Sequence, residues 1–335
     1  MAYRFENLKL DKGMYRHAGQ SFTQVLESLD PSQQYKGTEL EGLDAFQRQL
    51  KRFDIKVKGA GSDCVEKFFR TADSAVLFPE YVSRCVRQGM ESSDILSQVT
   101  AAVTHTDGVD YRSVLVTPNG DTMEAVTEGG EMPVTTITLQ QNLIKLKKRG
   151  RMLMATYEAI RFQKLDVFAV TLRQIGASIG RSFLEDAVDV LINGDGNSNA
   201  AEVMPAATAG TLTYDDLVKF WAKFAPYEMN TLLVADDMML QLLKLPEFQN
   251  PMAGTNFQDT GKLVTPMGAT LLRCAALPEG TVIGLDKNCA LEMVEGCGVV
   301  VEHDKLIDRQ LEYATISAIG GFAKIFKDAA RVLKV

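Results

Sequence analysis

The chain has 335 residues, 46% of them apolar and 24% charged, which is long enough to bury a large core and ordinary for a folded protein. A net charge of −7 excludes a chain that coats itself in nucleic acid, and no run reaches the ~18 apolar residues of a membrane span. The opening MAYRFENLKLDKG has an early acidic residue and no apolar centre, so it is not a secretory signal.

Ser21 and Gln24 fit a capping box, with Phe22, Val25, Leu26 and Leu29 on one helical face and Asp30-Pro31 as a stop. A second box, Thr38 to Glu41, predicts a helix carrying Leu40, Leu43, Phe46, Leu50 and Phe53. These helices look too small to form a core alone. Two readings stand: an extended arm whose apolar faces (Phe22, Leu26, Leu43, Phe46, Leu50) meet another subunit, or a helical subdomain folded on its own chain.

Ile55 and Val57 alternate with lysines, which predicts a short strand broken by Gly59 and Gly61. Pro79 is placed as the first residue of a helix that buries Val82, Cys85 and Val86 and stops at Gly89. SDILSQVTAAV reads as another short helix. From Tyr111 the texture becomes β, with a turn at Pro118-Asn119-Gly120-Asp121 and a flexible corner at residues 128–133. Residues 133–156 then alternate over a length far beyond the usual strand. Within that run, five of the seven residues 145–151 are basic: Lys145, Lys147, Lys148, Arg149 and Arg151. A hairpin with both faces mixed is expected to project and to need a partner. Glu124, Glu128 and Glu131 on its other limb supply complementary charge for a neighbouring subunit.

Phe168, Leu172, Ile175, Ile179, Phe183, Ala187, Val188 and Leu191 share one helical face, predicting a helix of about 39 Å over residues 167–192. Asp166 is its N-cap and Asn193-Gly194 its stop. Gly176 and Gly180 are expected to admit another backbone. A helix capped by Thr213 would bury Leu217, Phe220, Trp221 and Phe224. A buried strand at residues 231–235, a helix at 236–245, strands KLVTP, ATLLRCA, GTVIGLD, ALEMVE and GVVVEH, and an alternating C-terminal segment complete the chain.

Catalytic chemistry finds no footing. His17, His105 and His303 lie far apart without metal-ligand spacing, and neither GxGxxG nor GxxxxGK[ST] is present. The five cysteines (Cys64, Cys85, Cys274, Cys289, Cys297) are odd in number and lack CxxC spacing, as suits free thiols. A pair of Cys289 or Cys297 with His303 has no nucleophile signature around it. Gly194-Asp195-Gly196-Asn197 reads as a turn rather than a calcium loop.

The order of parts is informative: an amphipathic N-terminal arm, AVLFPEYVSRCVRQGM, a long loop ending in a basic strand, and a long helix closing on LINGDG before an α/β region. From about residue 68 to the C-terminus this order resembles the major capsid proteins of tailed bacteriophages, with the Hong Kong 97 phage-type fold shared by encapsulin shells. The resemblance implies an α+β fold. Its parts would be an N-terminal helical arm (1–65), the start of a peripheral domain (66–115), an extended β-hairpin loop (116–151) and the spine helix of the peripheral domain (152–195). An axial α/β domain (196–285), return strands of the peripheral domain (286–317) and a C-terminal segment near the axial domain (318–335) would follow.

The implied function is a non-enzymatic virion shell without cofactor or metal, self-assembling as pentamers and hexamers around double-stranded DNA that it does not read by sequence. Scaffolding, portal and decoration proteins are the implied partners, with no membrane, and assembly in the bacterial host cytoplasm. Some members carry a cleaved N-terminal scaffold; a chain opening at Met1 with these two helices leads to the expectation of a separate scaffolding protein or none. Others join subunits by lysine–asparagine bonds, but no motif fixes such a pair among Lys145, Lys147, Lys148 and Asn288. The alternatives are an encapsulin-like compartment and, as a different class, a soluble α/β thiol or metal enzyme.

Overall fold

The computed structural model describes residues 4–16, 20–91, 95–106, 108, 110–118, 135–249, 265–296, 298–306 and 310–335. The helices are α1 (Phe22–Leu29), α2 (Ala45–Arg52), α3 (Ala72–Glu91), α4 (Leu96–Val99), α5 (Tyr157–Phe162), α6 (Leu165–Asn193), α7 (Tyr214–Ala222), α8 (Asp236–Leu242) and α9 (Pro246–Gln249). The strands are β1 (Thr100–His105), β2 (Val114–Pro118), β3 (Thr135–Leu139), β4 (Lys147–Thr156), β5 (Glu202–Pro205), β6 (Thr231–Val234), β7 (Thr270–Arg273), β8 (Thr281–Leu285), β9 (Leu291–Glu295), β10 (Val300–Leu306), β11 (Leu311–Lys324) and β12 (Ala330–Lys334). They divide into two compact units, one of residues 1–93, 150–180 and 299–318, the other of 94–149, 181–298 and 319–335.

In the first unit, α1 carries the expected capping box, Ser21 receiving the Gln24 N–H while Gln24 caps Ser21. The second helix starts later than expected, at Ala45, because Gly42 takes a positive φ and Asp44, with Gln47, forms the box instead. Helix α3 also departs from expectation. Thr71 and Ser74 cap one another two turns ahead of Pro79, which therefore lies inside the helix and not at its start. Gly89 does not end it either. A Cβ on Gly89 would collide with the Arg173 backbone, and one on Gly176 with the Val86 carbonyl, so α3 and the first half of α6 meet backbone to backbone. The close approach expected at Gly176 is thus present. Residues 55–57 join no strand; they sit in a loop closed by the Asp63 N–H on the Lys56 carbonyl at 2.8 Å. Strand β10 pairs antiparallel with residues 311–317 of β11.

In the second unit, the short helix expected over residues 93–103 is present at α4, but its last part, residues 100–103, belongs to strand β1, because β9 offers a parallel ladder. Strand β9 also pairs antiparallel with residues 320–324 of β11. A second sheet runs β5-β12-β8-β6-β7, and its central strands β6 and β8 are buried at every position. The sequence ends as strand β12, parallel to β5 and antiparallel to β8. Gly284 of β8 leaves room for the Phe220, Phe224 and Met229 side chains, which a Cβ would crowd at 2.8–3.0 Å. Trp221, expected inward, is exposed, since the buried positions Leu217, Phe220 and Phe224 fix the other face of α7. Helix α6 is longer than expected, starting at Leu165 and ending at Asn193 before Gly194 at φ 83°.

Candidate inter-subunit contact surfaces

The run expected as one long alternating strand is broken after β3 by a docked segment. Asn142 takes a bond from its N–H to the Asn197 side chain at 2.9 Å and donates its amide to the Gly196 carbonyl at 2.7 Å. Gln140, buried, accepts from Asn197 at 2.8 Å and donates to the Lys324 carbonyl at 3.3 Å. The turn after α6 therefore serves as a seat for residues 140–142 and ends β3 at Leu139.

A buried carboxylate fixes the other side of the root. Glu292 of β9 accepts hydroxyl donors from Thr104 of β1 at 2.6 Å, Tyr111 at 2.5 Å and Ser113 at 2.6 Å. Burial and the bond to Glu292 raise the Tyr111 pKa, keeping the phenol a donor. Ser113 immediately precedes β2, so the ribbon's exit is tied to the sheet by two bonds, from Tyr111 and Ser113, to one side chain that Thr104 of β1 also holds. Beyond it β2 and β3 pair in register from Val114↔Leu139 to Pro118↔Thr135. All five residues of β3 are exposed, Ile137 at 67% and Leu139 at 63%. Apolar side chains stand on a two-stranded ribbon that no third strand covers among the described residues.

The basic residues divide. Asp186 on α6, itself buried, receives Lys147 at 2.6 Å and both nitrogens of the Arg149 fork at 2.6–3.1 Å. The bonds to Asp186 raise the Arg149 pKa. Lys147 and Arg149, expected to meet a neighbour, are therefore engaged by their own chain. Lys145, Lys148 and Arg151 remain exposed. Glu124, Glu128 and Glu131 lie outside the described residues.

The apolar faces of the N-terminal helices, expected to meet another subunit, are covered within their own chain. Phe22, Leu26, Phe46 and Leu50 are buried by their own chain, and Leu43 packs on the cluster of Phe5, Tyr35 and Leu40. The physical reason is that the segment supplies its own partners. Arg48, fully buried, binds the Asp30 carboxylate at 2.8 Å and the Leu43 carbonyl at 2.6 Å, closing α2 onto the end of α1.

Other apolar surface went unread in the sequence. Within the first unit Phe162 at the end of α5 is 73% exposed, and Met152, Met154, Val167 and Val170 are also exposed. Val167 and Val170 fall outside the buried stripe of α6, and apolar residues on two faces of one helix were the available signal. In the second unit Val218, Trp221, Leu240 and Leu243 stand exposed on and just after α7 and α8. The hub at Glu292 had no legible signal, since its three donors lie 179 to 188 residues away in sequence. Among the described residues no group of three or more His, Cys, Asp or Glu side chains could hold a metal ion, and no helix is long and apolar enough to cross a membrane.

Solved structures share this arrangement. The virus-like particle from Pyrococcus furiosus is similar with a TM-score of 0.53 and 13% identity, over 77% of this chain and 99% of that one. The capsid of the native GTA particle gives 0.55 and 15%, over 72% of this chain and 90% of that one. Microbacterium phage Oxtober96 gives 0.50 and 11%, over 71% and 90%. At such identities the likeness concerns the fold, which is α+β and of the Hong Kong 97 phage type. No curated protein sequence matches the chain. Residues 140–324, more than half of the chain and including the basic strand, α6 and strands β5 to β11, match the family described as phage capsid protein, and the chain belongs to that family.

Proposed function

We propose that the chain is the major capsid protein of a tailed bacteriophage or prophage, assembling as pentamers and hexamers into an icosahedral shell around double-stranded DNA. In this reading residues 116–151 lie across an adjacent subunit as the extended loop, α6 is the spine of a peripheral domain, and residues 196–285 form an axial domain meeting its copies at the five-fold and six-fold axes. Residues 286–317 return to the peripheral domain, and 318–335 reach the axial one. Scaffolding, portal and decoration proteins would be partners, with assembly in the bacterial host cytoplasm.

The observation that carries this reading is the uncovered ribbon of β2 and β3. A two-stranded hairpin is marginal in water, and one bearing Ile137 and Leu139 in the open calls for a covering surface. The exposed side chains of Phe162, Val167 and Val170 offer such a surface on a second copy. Lys145, Lys148 and Arg151 would meet acidic groups there, while Lys147 and Arg149 hold the root through Asp186. Many contacts of moderate strength, repeated by symmetry, then stabilise a closed shell. Replacing residues 116–137 by a short turn, which spares the seat of residues 140–142 and the Asp186 pairs, should leave a folded monomer by circular dichroism and no shells in electron micrographs; shells of normal size would overturn the proposal.

A second reading, an encapsulin-like compartment, is favoured by the match to 99% of the Pyrococcus furiosus particle chain. Nuclease-protected DNA inside purified shells decides for the first reading, and a protein cargo without DNA for the second.

A further inference from the structure

Pro79 lies inside α3, where it has no N–H for the Ala75 carbonyl and its ring crowds that group. The Tyr15 hydroxyl sits at this break. It donates to the Val76 carbonyl at 2.7 Å and accepts the Glu80 N–H at 3.1 Å. In a regular helix those two backbone groups bond to each other, so the Tyr15 hydroxyl engages both ends of one rung of the ladder. The Tyr15 ring stacks on Phe22, with centroids 4.3 Å apart. Burial, with the charge of Glu80 adding to it, raises the Tyr15 pKa and keeps the hydroxyl a donor.

The next turn of α3 is gripped by other parts of the same segment. Glu80 accepts the Thr23 hydroxyl of α1 at 2.7 Å and Arg84 at 2.9 Å. Arg84 reaches Asp44, the N-cap of α2, at 2.7 Å and the Thr23 hydroxyl at 2.8 Å, and its guanidinium lies 4.3 Å from the centroid of the Phe46 ring. The side chains of Arg84 and Asp44 are 27% and 35% exposed, so this pair is screened by solvent. The segment is also held internally: Asp30, Arg48 and Tyr35 form a buried network, and the Tyr35 ring joins it to an apolar cluster with Phe5 and Leu40. Asp54 and Gly59, both at positive φ, lie in the connection to the rest of the unit.

We propose that the described N-terminal segment, residues 4–16 and 20–52, is a releasable strap: docked, Tyr15 completes α3 at Pro79, and released, the strap leaves as one piece and opens the 76–84 face. Its internal bonds survive the opening, because none of them involves α3. Opening removes the Tyr15, Thr23 and Asp44 contacts together and leaves the Val76 carbonyl and Glu80 N–H to each other or to water. This goes beyond shell formation, and it is tested on the unassembled full-length chain, so a failure to form shells does not bear on it.

Hydrogen exchange of that chain, read by mass spectrometry, is compared for the native sequence, Tyr15→Phe, Pro79→Ala and the double variant. Tyr15→Phe should speed exchange in residues 20–52 and 76–84 together by about tenfold, the loss of two modest hydrogen bonds. Pro79→Ala restores the backbone donor, so Tyr15→Phe should have a smaller effect in that background. Raising salt from about 0.05 M to about 1 M should speed the strap's exchange a few-fold by weakening the Arg84 pairs. Strap amides that exchange no faster than the rest of their unit, insensitive to salt and to Tyr15→Phe, would overturn the proposal. So would additive effects of the two substitutions.

Discussion

At the scale of single residues, Lys324 shows how burial and charge oppose each other. Its side chain is 1% exposed, and burial lowers its pKa from 10.5 to about 8 even though Asp195 partly restores it. The ammonium donates to the Leu191 carbonyl at 3.2 Å, in the last turn of α6, where the helix dipole favours a cation. The native-state pKa lies below the unfolded one, so between about pH 8 and 10.5 the unfolded chain binds more protons, and stability must rise with pH there. We expect the native protein to gain about 2 kcal/mol between about pH 8 and 9.5 relative to Lys324→Met, measured by urea unfolding. Parallel pH profiles of the two proteins would show that Lys324 keeps an ordinary pKa. Glycines act at the same scale by what they lack: Gly89 and Gly176 set the approach of α3 to α6 because any side chain would strike the opposing backbone.

At the scale of elements, the ribbon is governed by its root more than by its own ladder. Glu292, buried, gathers three hydroxyl donors from β1, Tyr111 and Ser113, and among the described residues no cation hydrogen-bonds to it. Removing the carboxylate leaves those hydroxyls without an acceptor and loosens the start of β2. Glu292→Ala should cost roughly 3 kcal/mol of stability and raise hydrogen exchange across residues 111–118. An exchange pattern unchanged there would assign Glu292 to the sheet alone. The apolar surface of α5 and α6 belongs to this scale as well. Phe162→Asp changes a side chain that is 73% exposed, so monomer stability should move by no more than about 0.5 kcal/mol. Under the proposed assembly, the same substitution should abolish shells in electron micrographs; normal shells would remove Phe162 from the interface.

At the scale of the whole molecule, membership of the phage capsid family makes the chain a structural protein of the virion shell and not an enzyme. Local signals in the sequence determined a good part of this. The capping box at Ser21, the apolar stripe of α6 and its stop at Gly194, and the strands β6 and β8 all follow from short-range periodicity and turn chemistry. Tertiary structure decided the rest, since a partner distant in sequence had to be present. It turned residues 100–103 from helix to strand by offering β9, and it kept Pro79 within α3 with Tyr15 beside it. It broke the long alternating run at the seat provided by Asn197, and gave Lys147 and Arg149 to Asp186. It also buried the N-terminal apolar faces on their own chain. Periodicity reports which side chains avoid water; which surface covers them depends on contacts made across tens to hundreds of residues, and no local pattern encodes those.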